Sequence, residues 1–499
     1  MTGSPDSSLP VVVIGAGPVG LAAAAHLSDR GLPVVVLEAG ASVGAAVREW
    51  GHVRTFTPWE YLVDPAAERL LGATGWTRPT TRVPPTGDEL VAGYLEPLAA
   101  VLGDAVQVDA RVVAVSREGI DKSRSLSREA HPFLLRVVDA AGGRRELRAR
   151  AVVDASGTWR QRNPLGGSGL PALGEDAAEP FLVGPLPDVL GRDRARFAGR
   201  RTLVVGAGHS AAGTLLALGQ LVEEVPGTTA LWAIRGEHPD RVYGGGAADE
   251  LVERGRLGTD LRSLVERGVI ELVTGFSTVA LEPTGDTVTV VGRTSAGERR
   301  LEGVSAVAAA AGFRPDLAML SELRLDLDPG LEAPRVLGPL VDPAYHSCGT
   351  VAPHGHRELS HPEPGFYVVG MKSYGRAPTF LVTTGNEQVR SVVAALAGDT
   401  VAADAVELVL PETGVCSVGP TGEDVGGCCG SDTGVAGLTV PDEAHRPRPD
   451  GVPAQGFRTG VPGGGELAAL VRSEAVPSDL VVADLVLSDV GPTSGGCCA

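Results

Sequence analysis

The sequence predicts an α/β protein built from two Rossmann-like dinucleotide-binding domains, each a three-layer ββα unit. Three observations predict it. A glycine fingerprint, Gly15-Ala16-Gly17-Pro18-Val19-Gly20, follows the apolar run 11–14 and opens an alanine-rich stretch. A second, Gly206-Ala207-Gly208-His209-Ser210-Ala211, follows 203–205 in the same way. The strand after each fingerprint ends in a charged side chain, Glu38 in the first copy and Arg235 in the second.

Short apolar runs of this kind form buried parallel strands, and the glycines have separate tasks. The first turns the chain tightly, the second lets backbone approach a pyrophosphate, and the third lets helix pack on strand. The helix start then holds the anion on free amides and the positive end of the dipole. Gly15, Gly17, Pro18 and Gly20 are therefore expected at one dinucleotide, and Gly206, Gly208, His209 and Ser210 at another. Glu38 lies eighteen residues beyond Gly20, where a carboxylate accepts hydrogen bonds from an adenosine ribose. It would repel a 2′-phosphate, whereas the Arg235 guanidinium attracts one. The first copy is accordingly expected to bind FAD and the second NADPH.

The plan repeats beyond the fingerprints. β-like runs at 106–115 and 133–138 and a turn at Gly142-Gly143 precede the strand 151–153, which ends in Asp154-Ala155-Ser156-Gly157. The second copy has runs at 269–273, 278–281 and 287–291, then 304–311 leading into Gly312-Phe313-Arg314-Pro315. Each half reads as a dinucleotide domain with a β-meander before its last strand, with helices at 87–102 and 257–267. The first domain resumes with the strand 365–370 and a helix starting near Asn386 whose positive end faces the flavin. The expected division is 1–198 for the first part of the FAD domain, 199–298 for an inserted NADPH domain and 299–400 for the second part of the FAD domain. A Gly- and Pro-rich flexible tail carrying cysteine pairs occupies 401–499. Gly157, Gly312, Gly370 and Thr384 join the expected cofactor contacts, as does Arg54, for which packing is an equal alternative.

A chain of 499 residues exceeds one core, and 43% hydrophobic content is ample for globular burial. The net charge of −18 repels nucleic-acid phosphate and excludes that partner. The first ten residues place no positive charge before an apolar stretch, so neither a secretory signal nor a membrane span is expected. The expected location is the cytoplasm, and a homodimer is compatible with this composition. Lysine occurs only at Lys122 and Lys372, against abundant arginine.

The first 400 residues resemble the two-dinucleotide-binding flavoproteins, the group of flavin-containing monooxygenases and thioredoxin-reductase-like enzymes. The resemblance rests on both fingerprints, on Ala155-Ser156-Gly157 and on Ala311-Gly312-Phe313-Arg314-Pro315. Trp50-Gly51-His52-Val53-Arg54, Lys372-Ser373-Tyr374-Gly375-Arg376-Ala377-Pro378-Thr379 and the cysteine tail are similar to flavoproteins encoded with bacterial arsenic-resistance genes. The chain departs from the group where Gly370-Met371 replaces the usual Gly-Asp contact to the flavin ribityl chain. It departs again where Asp188, not histidine, follows Gly184 by four residues.

Two such cofactors side by side imply hydride transfer from NADPH to flavin. The next acceptor follows from the cysteines. All six lie late, at Cys348, Cys416, Cys428, Cys429, Cys497 and Cys498, so no dithiol relay is available in the first half or the nicotinamide domain. That shifts the expected co-substrate to O2, with a small-molecule soft nucleophile or metalloid as substrate. The adjacent pairs Cys428-Cys429 and Cys497-Cys498 suit a soft thiophilic ion such as a metalloid; the alternative is idle solvated thiols. A thiol or metalloid reductase and a non-enzymatic metalloid carrier remain alternatives. Cys348, His354 and Tyr374 are the expected catalytic residues at the flavin pocket. Zinc at Cys348 with His346, His354, His356 and His361 lacks the paired-cysteine spacing of a structural site.

Overall fold

A computed structural model describes residues 8–244, 252–344, 351–378 and 380–410. All six cysteines, Cys348 among them, and nearly all of the expected tail lie outside the described residues.

The first sheet starts with β1 (Val11–Ile14) and β2 (Val34–Leu37), parallel and paired Val11 to Val34 through Ile14 to Leu37. Between them runs α1 (Pro18–Asp29), with Pro18 in its first turn, where a missing N–H costs nothing. The short β3 (Val106–Gln107) pairs with β2. The apolar run expected as one strand over 106–115 is two strands in two sheets. Asp109, with φ +51°, turns the chain out of the parallel sheet into an antiparallel meander of β4 (Arg111–Arg117), β5 (Phe133–Val138) and β6 (Arg144–Ala149). Hydrophobic patterning missed β6 because four of its six residues are charged and exposed. The chain returns to the sheet as β7 (Ala151–Asp154), parallel to β1.

The second unit repeats this order. The two-residue β8 (Leu182–Val183) comes first, then β9 (Arg201–Val205), α3 and β10 (Thr229–Ala233), where α2 is Pro65–Gly72 in the first unit and α3 is His209–Glu224. Next come α4 (Val252–Glu266) and β11 (Ile270–Val273). A second meander holds β12 (Ser277–Thr284), β13 (Thr287–Thr294) and β14 (Gly297–Val304), and β15 (Ala306–Ala309) closes the unit beside β9. Finally β16 (Phe366–Val368) joins β7, and α5 (Val382–Leu396) packs on α1.

The sheet orders are β16-β7-β1-β2-β3 and β11-β10-β9-β15-β8. Read from the fingerprint strand, they are the same sheet twice. The domain boundary expected at 298 needs correction, because it falls inside β14. The second sheet runs on to Ala309 and takes its fifth strand from β8, ahead of residue 199. Charged residues disguise β14, so the run expected over 304–311 merges its end with β15.

Side-chain alternation explains the three layers. Val11 and Val13 pack with α1 and α5, while Val12 and Ile14 pack with Phe133 and Leu135 of the meander. In the second unit Val204 faces the helices, and Leu203 and Val205 face Leu281, Val288 and Val290. Both faces are covered, so β1 is apolar throughout and β9 is apolar from Leu203 to Val205.

Candidate functional site: two glycine-turn cradles and the segments that join them

Each cradle forms where a fingerprint strand ends beside the next parallel strand. Gly15 has φ +99°, and a Cβ there would lie 2.8 Å from the Ala155 carbonyl oxygen just past β7. A Cβ on Gly20 would lie 2.0 Å from the Gly15 carbonyl oxygen, so helix and turn meet only through glycine. A Cβ on Gly17, the second glycine, would meet nothing within 4 Å, leaving that side of the turn open for a ligand. Glu38 reaches back across the turn. Its carboxylate accepts the Ala16 and Gly40 amides, each at 2.8 Å. Each oxygen keeps a lone pair for a ribose hydroxyl.

The second cradle has the same construction. Gly206 has φ +137° against the Ala310 carbonyl, and Gly208 faces open space. Ala211, in the third slot, is buried. His209 opens α3 with its ring edge-on to Phe56, 5.1 Å between centroids, and half-buried Ser210 follows it. Arg235 is exposed two residues past β10, and its Nη1 donates over 3.4 Å to the Gly167 carbonyl.

Two crossing segments tie the units together. Gly157 follows the first cradle with φ +69°. Gly312, φ +89°, accepts the Asn163 amide at 3.0 Å, and Arg162 bridges to Phe313. The Trp159 ring lies 5.1 Å from Phe313, and its Nε1 donates to Glu49. Gly312 is thus a crossing residue bonded to the other connecting segment. A cleft of about 280 Å³ lies between the strip 53–56, which includes Arg54, and Leu216, Arg256, Leu257 and Asp260 of the second unit. Arg54 donates to the Pro84 carbonyl and lies 3.5 Å from Glu89.

Of the three expected catalytic residues, Cys348 lies outside the described residues, and the structure describes His354 and Tyr374. His354 and Tyr374 are brought together, 5.7 Å between ring centroids, but they are 4% and 1% exposed. His354 Nδ1 donates to the Ala352 carbonyl at 2.9 Å, and Nε2 accepts from Gln388 at 2.9 Å. Burial pushes its pKa down and holds the ring neutral. Gln388 also donates to Ser373 and accepts the amide of Gly370, whose φ is +67°. This is a satisfied internal network that fixes the turn after β16. The helix begins at Val382, four residues before the expected start, so Thr384 sits buried in its first turn with its amide bonded to Leu381. Cys348, Cys428, Cys429, Cys497 and Cys498 lie outside the described residues, so the structure places none of them.

Sequence reasoning missed one feature at the first cradle. Lys372 and Asp154 are both wholly buried and joined at 2.6 Å, and Lys372 Nζ also reaches the exposed Ser156 at 3.1 Å. One of only two lysines in an arginine-rich chain was the available signal. Among the described residues no group of three or more His, Cys, Asp or Glu is placed to hold a metal ion, and no helix is long and apolar enough to cross a membrane.

Residues 10–137 match the FAD dependent oxidoreductase family. No curated protein sequence matches the chain. Among solved structures, the bacillithiol disulfide reductase of Bacillus cereus is 18% identical with a TM-score of 0.58, covering 78% of this chain and 99% of that one. This chain has the fold of a two-dinucleotide-binding flavoprotein. The chain is also similar to the FAD-bound cadaverine monooxygenase of desferrioxamine biosynthesis from Erwinia amylovora. That match has 15% identity and a TM-score of 0.54 and covers 84% and 99% of the two chains. The ornithine N-hydroxylase of Kutzneria sp. 744, with reduced FAD, NADP+ and ornithine, gives 17%, 0.52, 78% and 99%. At these identities the likeness carries the fold, and the match to the FAD dependent oxidoreductase family is confined to residues 10–137. The first cradle fits that cofactor: only glycine is tolerated at Gly15 and Gly20, the side of Gly17 is open, and Glu38 stands at the strand end.

Proposed function

We propose that the flavoprotein is an NADPH-dependent, FAD-containing oxidoreductase of the monooxygenase-like kind. Its substrate would be a soft nucleophile or a trivalent metalloid of the arsenic-resistance type, in the reducing cytoplasm. The observation that carries the NADPH part is the exposed Arg235 guanidinium two residues past β10, one beyond the position that matches Glu38 in the first unit. A guanidinium there supplies bidentate charge-assisted bonds to a 2′-phosphate. FAD, when bound, supplies two-electron chemistry between nicotinamide and a second acceptor. The chain's own work is positioning. Gly15, Gly17 and Gly20 admit a pyrophosphate, Glu38 holds a ribose, and Gly206, Gly208 and Ser210 hold the nicotinamide partner against the same edge.

Oxygen is favoured as acceptor because no cysteine precedes Cys348. The balance is NADPH, a proton, O2 and substrate giving NADP+, water and singly oxygenated substrate. The adjacent pairs Cys428-Cys429 and Cys497-Cys498 favour a second reading, reduction or carriage of a thiophilic metalloid by the C-terminal region.

Oxygen uptake with NADPH, with and without arsenite or a thioether, separates the readings. The oxygenase reading expects substrate-stimulated uptake that survives Cys497→Ser with Cys498→Ser. Substrate-dependent NADPH oxidation under nitrogen that vanishes in the same double variant would establish the reductase. Arsenite binding without NADPH oxidation would leave only a carrier.

A further inference from the structure

Behind the first cradle, Asp154 is the last residue of β7 and Lys372 lies in the turn after β16, so 218 residues of chain separate two groups in contact. Both side chains are 0% exposed, and a buried pair of this kind is retained only where its remaining bonding capacity is met. Asp154 Oδ2 takes Lys372 Nζ at 2.6 Å. Its Oδ1 takes both the Ser156 amide at 3.0 Å and the Ser156 hydroxyl at 2.6 Å. Lys372 Nζ then donates to the same hydroxyl at 3.1 Å.

The Ser156 hydroxyl is thereby fully oriented. Its proton is committed to Asp154 and one lone pair to Lys372, so what it has left to offer is an acceptor backed by a buried cation. Ser156 is exposed, and its Cα stands 3.1 Å from where a Cβ on Gly15 would be, directly beside the glycine turn. The segment following β16 offers no carboxylate here, since Gly370 is followed by Met371 and Lys372 turns inward.

We propose that Ser156 contacts a hydroxyl of FAD beside the glycine turn, with Asp154 and Lys372 as the positioning residues that orient it. The inference rests on FAD occupying the first cradle. With FAD bound, Ser156 Oγ would accept from a hydroxyl of the cofactor, held in place by the neutral Asp154–Lys372 pair.

The test is FAD affinity of the full chain, followed by flavin fluorescence, alongside the melting temperature of the FAD-free chain. Ser156→Ala is expected to weaken FAD about tenfold while the FAD-free chain still folds, its melting temperature lowered only by the loss of the hydroxyl's bonds to Asp154 and Lys372. Ser156→Thr, which keeps the hydroxyl, should stay within about twofold of the parent. Lys372→Met should weaken FAD and also destabilise the fold by stranding Asp154. The double variant D154N/K372Q removes both charges together and restores folding, yet should still bind FAD several-fold more weakly. Parent-like affinity in Ser156→Ala would overturn the proposal, as would parent-like affinity in a folded D154N/K372Q. If neither Lys372 variant folds, the Ala and Thr variants decide alone. A parent chain that binds no FAD would instead overturn the FAD reading itself.

Discussion

The carbonyl oxygen of Ala310 stands 2.1 Å from where a Cβ on Gly206 would be, as the carbonyl of Ala155 stands 2.8 Å from a Cβ on Gly15. Each first fingerprint glycine is thus pinned by the residue that follows the neighbouring parallel strand, in a conformation with positive φ. The duplication is therefore one of backbone contacts as well as of motif.

Gly206→Ala should cost about 3 kcal/mol locally, from the positive φ and the backbone overlap together. Its damage is confined to the second unit. FAD absorbance should persist while NADPH binding falls at least tenfold. Gly15→Ala should reverse the pattern, giving a colourless chain. Parallel loss of both cofactors in either variant would show that the two cradles are not independent.

Arg235→Ala should weaken NADPH by roughly 10- to 100-fold, the worth of a charge-assisted contact, and leave NADH nearly unchanged. The ratio of kcat/KM for the two coenzymes measures it. Equal losses would mean that Arg235 serves the fold through its contact with Gly167.

The repeated architecture was legible because its signals are local. Glycine turns after apolar strands announce both cradles, and Glu38 and Arg235 stand where strand length puts them. What stayed hidden depends on partners far apart in sequence. Lys372 finds Asp154 across the whole second unit, and His354 is bonded to Gln388, which also holds Ser373. The polar strands β6 and β14 were hidden for another reason. As members of meanders with one face in solvent, they carry charges that hydrophobic patterning cannot read.

Glu363 should be a keystone of the first meander. Its carboxylate is 1% exposed and accepts Arg117 Nε at 2.7 Å, Arg128 Nε at 3.0 Å and the Arg324 amide at 3.2 Å. Burial pushes its pKa up, but the bonds from Arg117 and Arg128 outweigh that and hold it below the ordinary 4.5. Removing one partner from such a set strands the other charges, so Glu363→Gln should cost about 3 kcal/mol at neutral pH. A depressed carboxylate contributes stability that is whole above its unfolded pKa and lost as pH falls through the folded one. The gap between parent and variant should be constant above about pH 5.5 and narrow below about 4.5. A gap that does not change with pH would mean that the parent's carboxylate is not ionised there.

His361 should make the fold acid-sensitive in a higher window. It accepts the Asp326 amide through Nδ1 at 3.2 Å and stacks on Phe366 at 5.8 Å, while buried Nε2 has no partner among the described residues. Burial pushes its pKa down to about 4 from an ordinary 6.5. The unfolded chain then takes up the proton first, so stability is whole above pH 6.5 and falls as pH drops towards 4. The full span is about 3 kcal/mol, of which about 2 kcal/mol is lost by pH 5. His361→Phe keeps the stacking and removes the titrating group, so denaturant melts of parent and variant should agree within about 1 kcal/mol at pH 7. At pH 5 the variant should be the more stable by about 2 kcal/mol relative to that baseline. Parallel stability curves between pH 7 and pH 5 would show that the ring titrates alike in the folded and unfolded chains and that its burial does not hold it neutral.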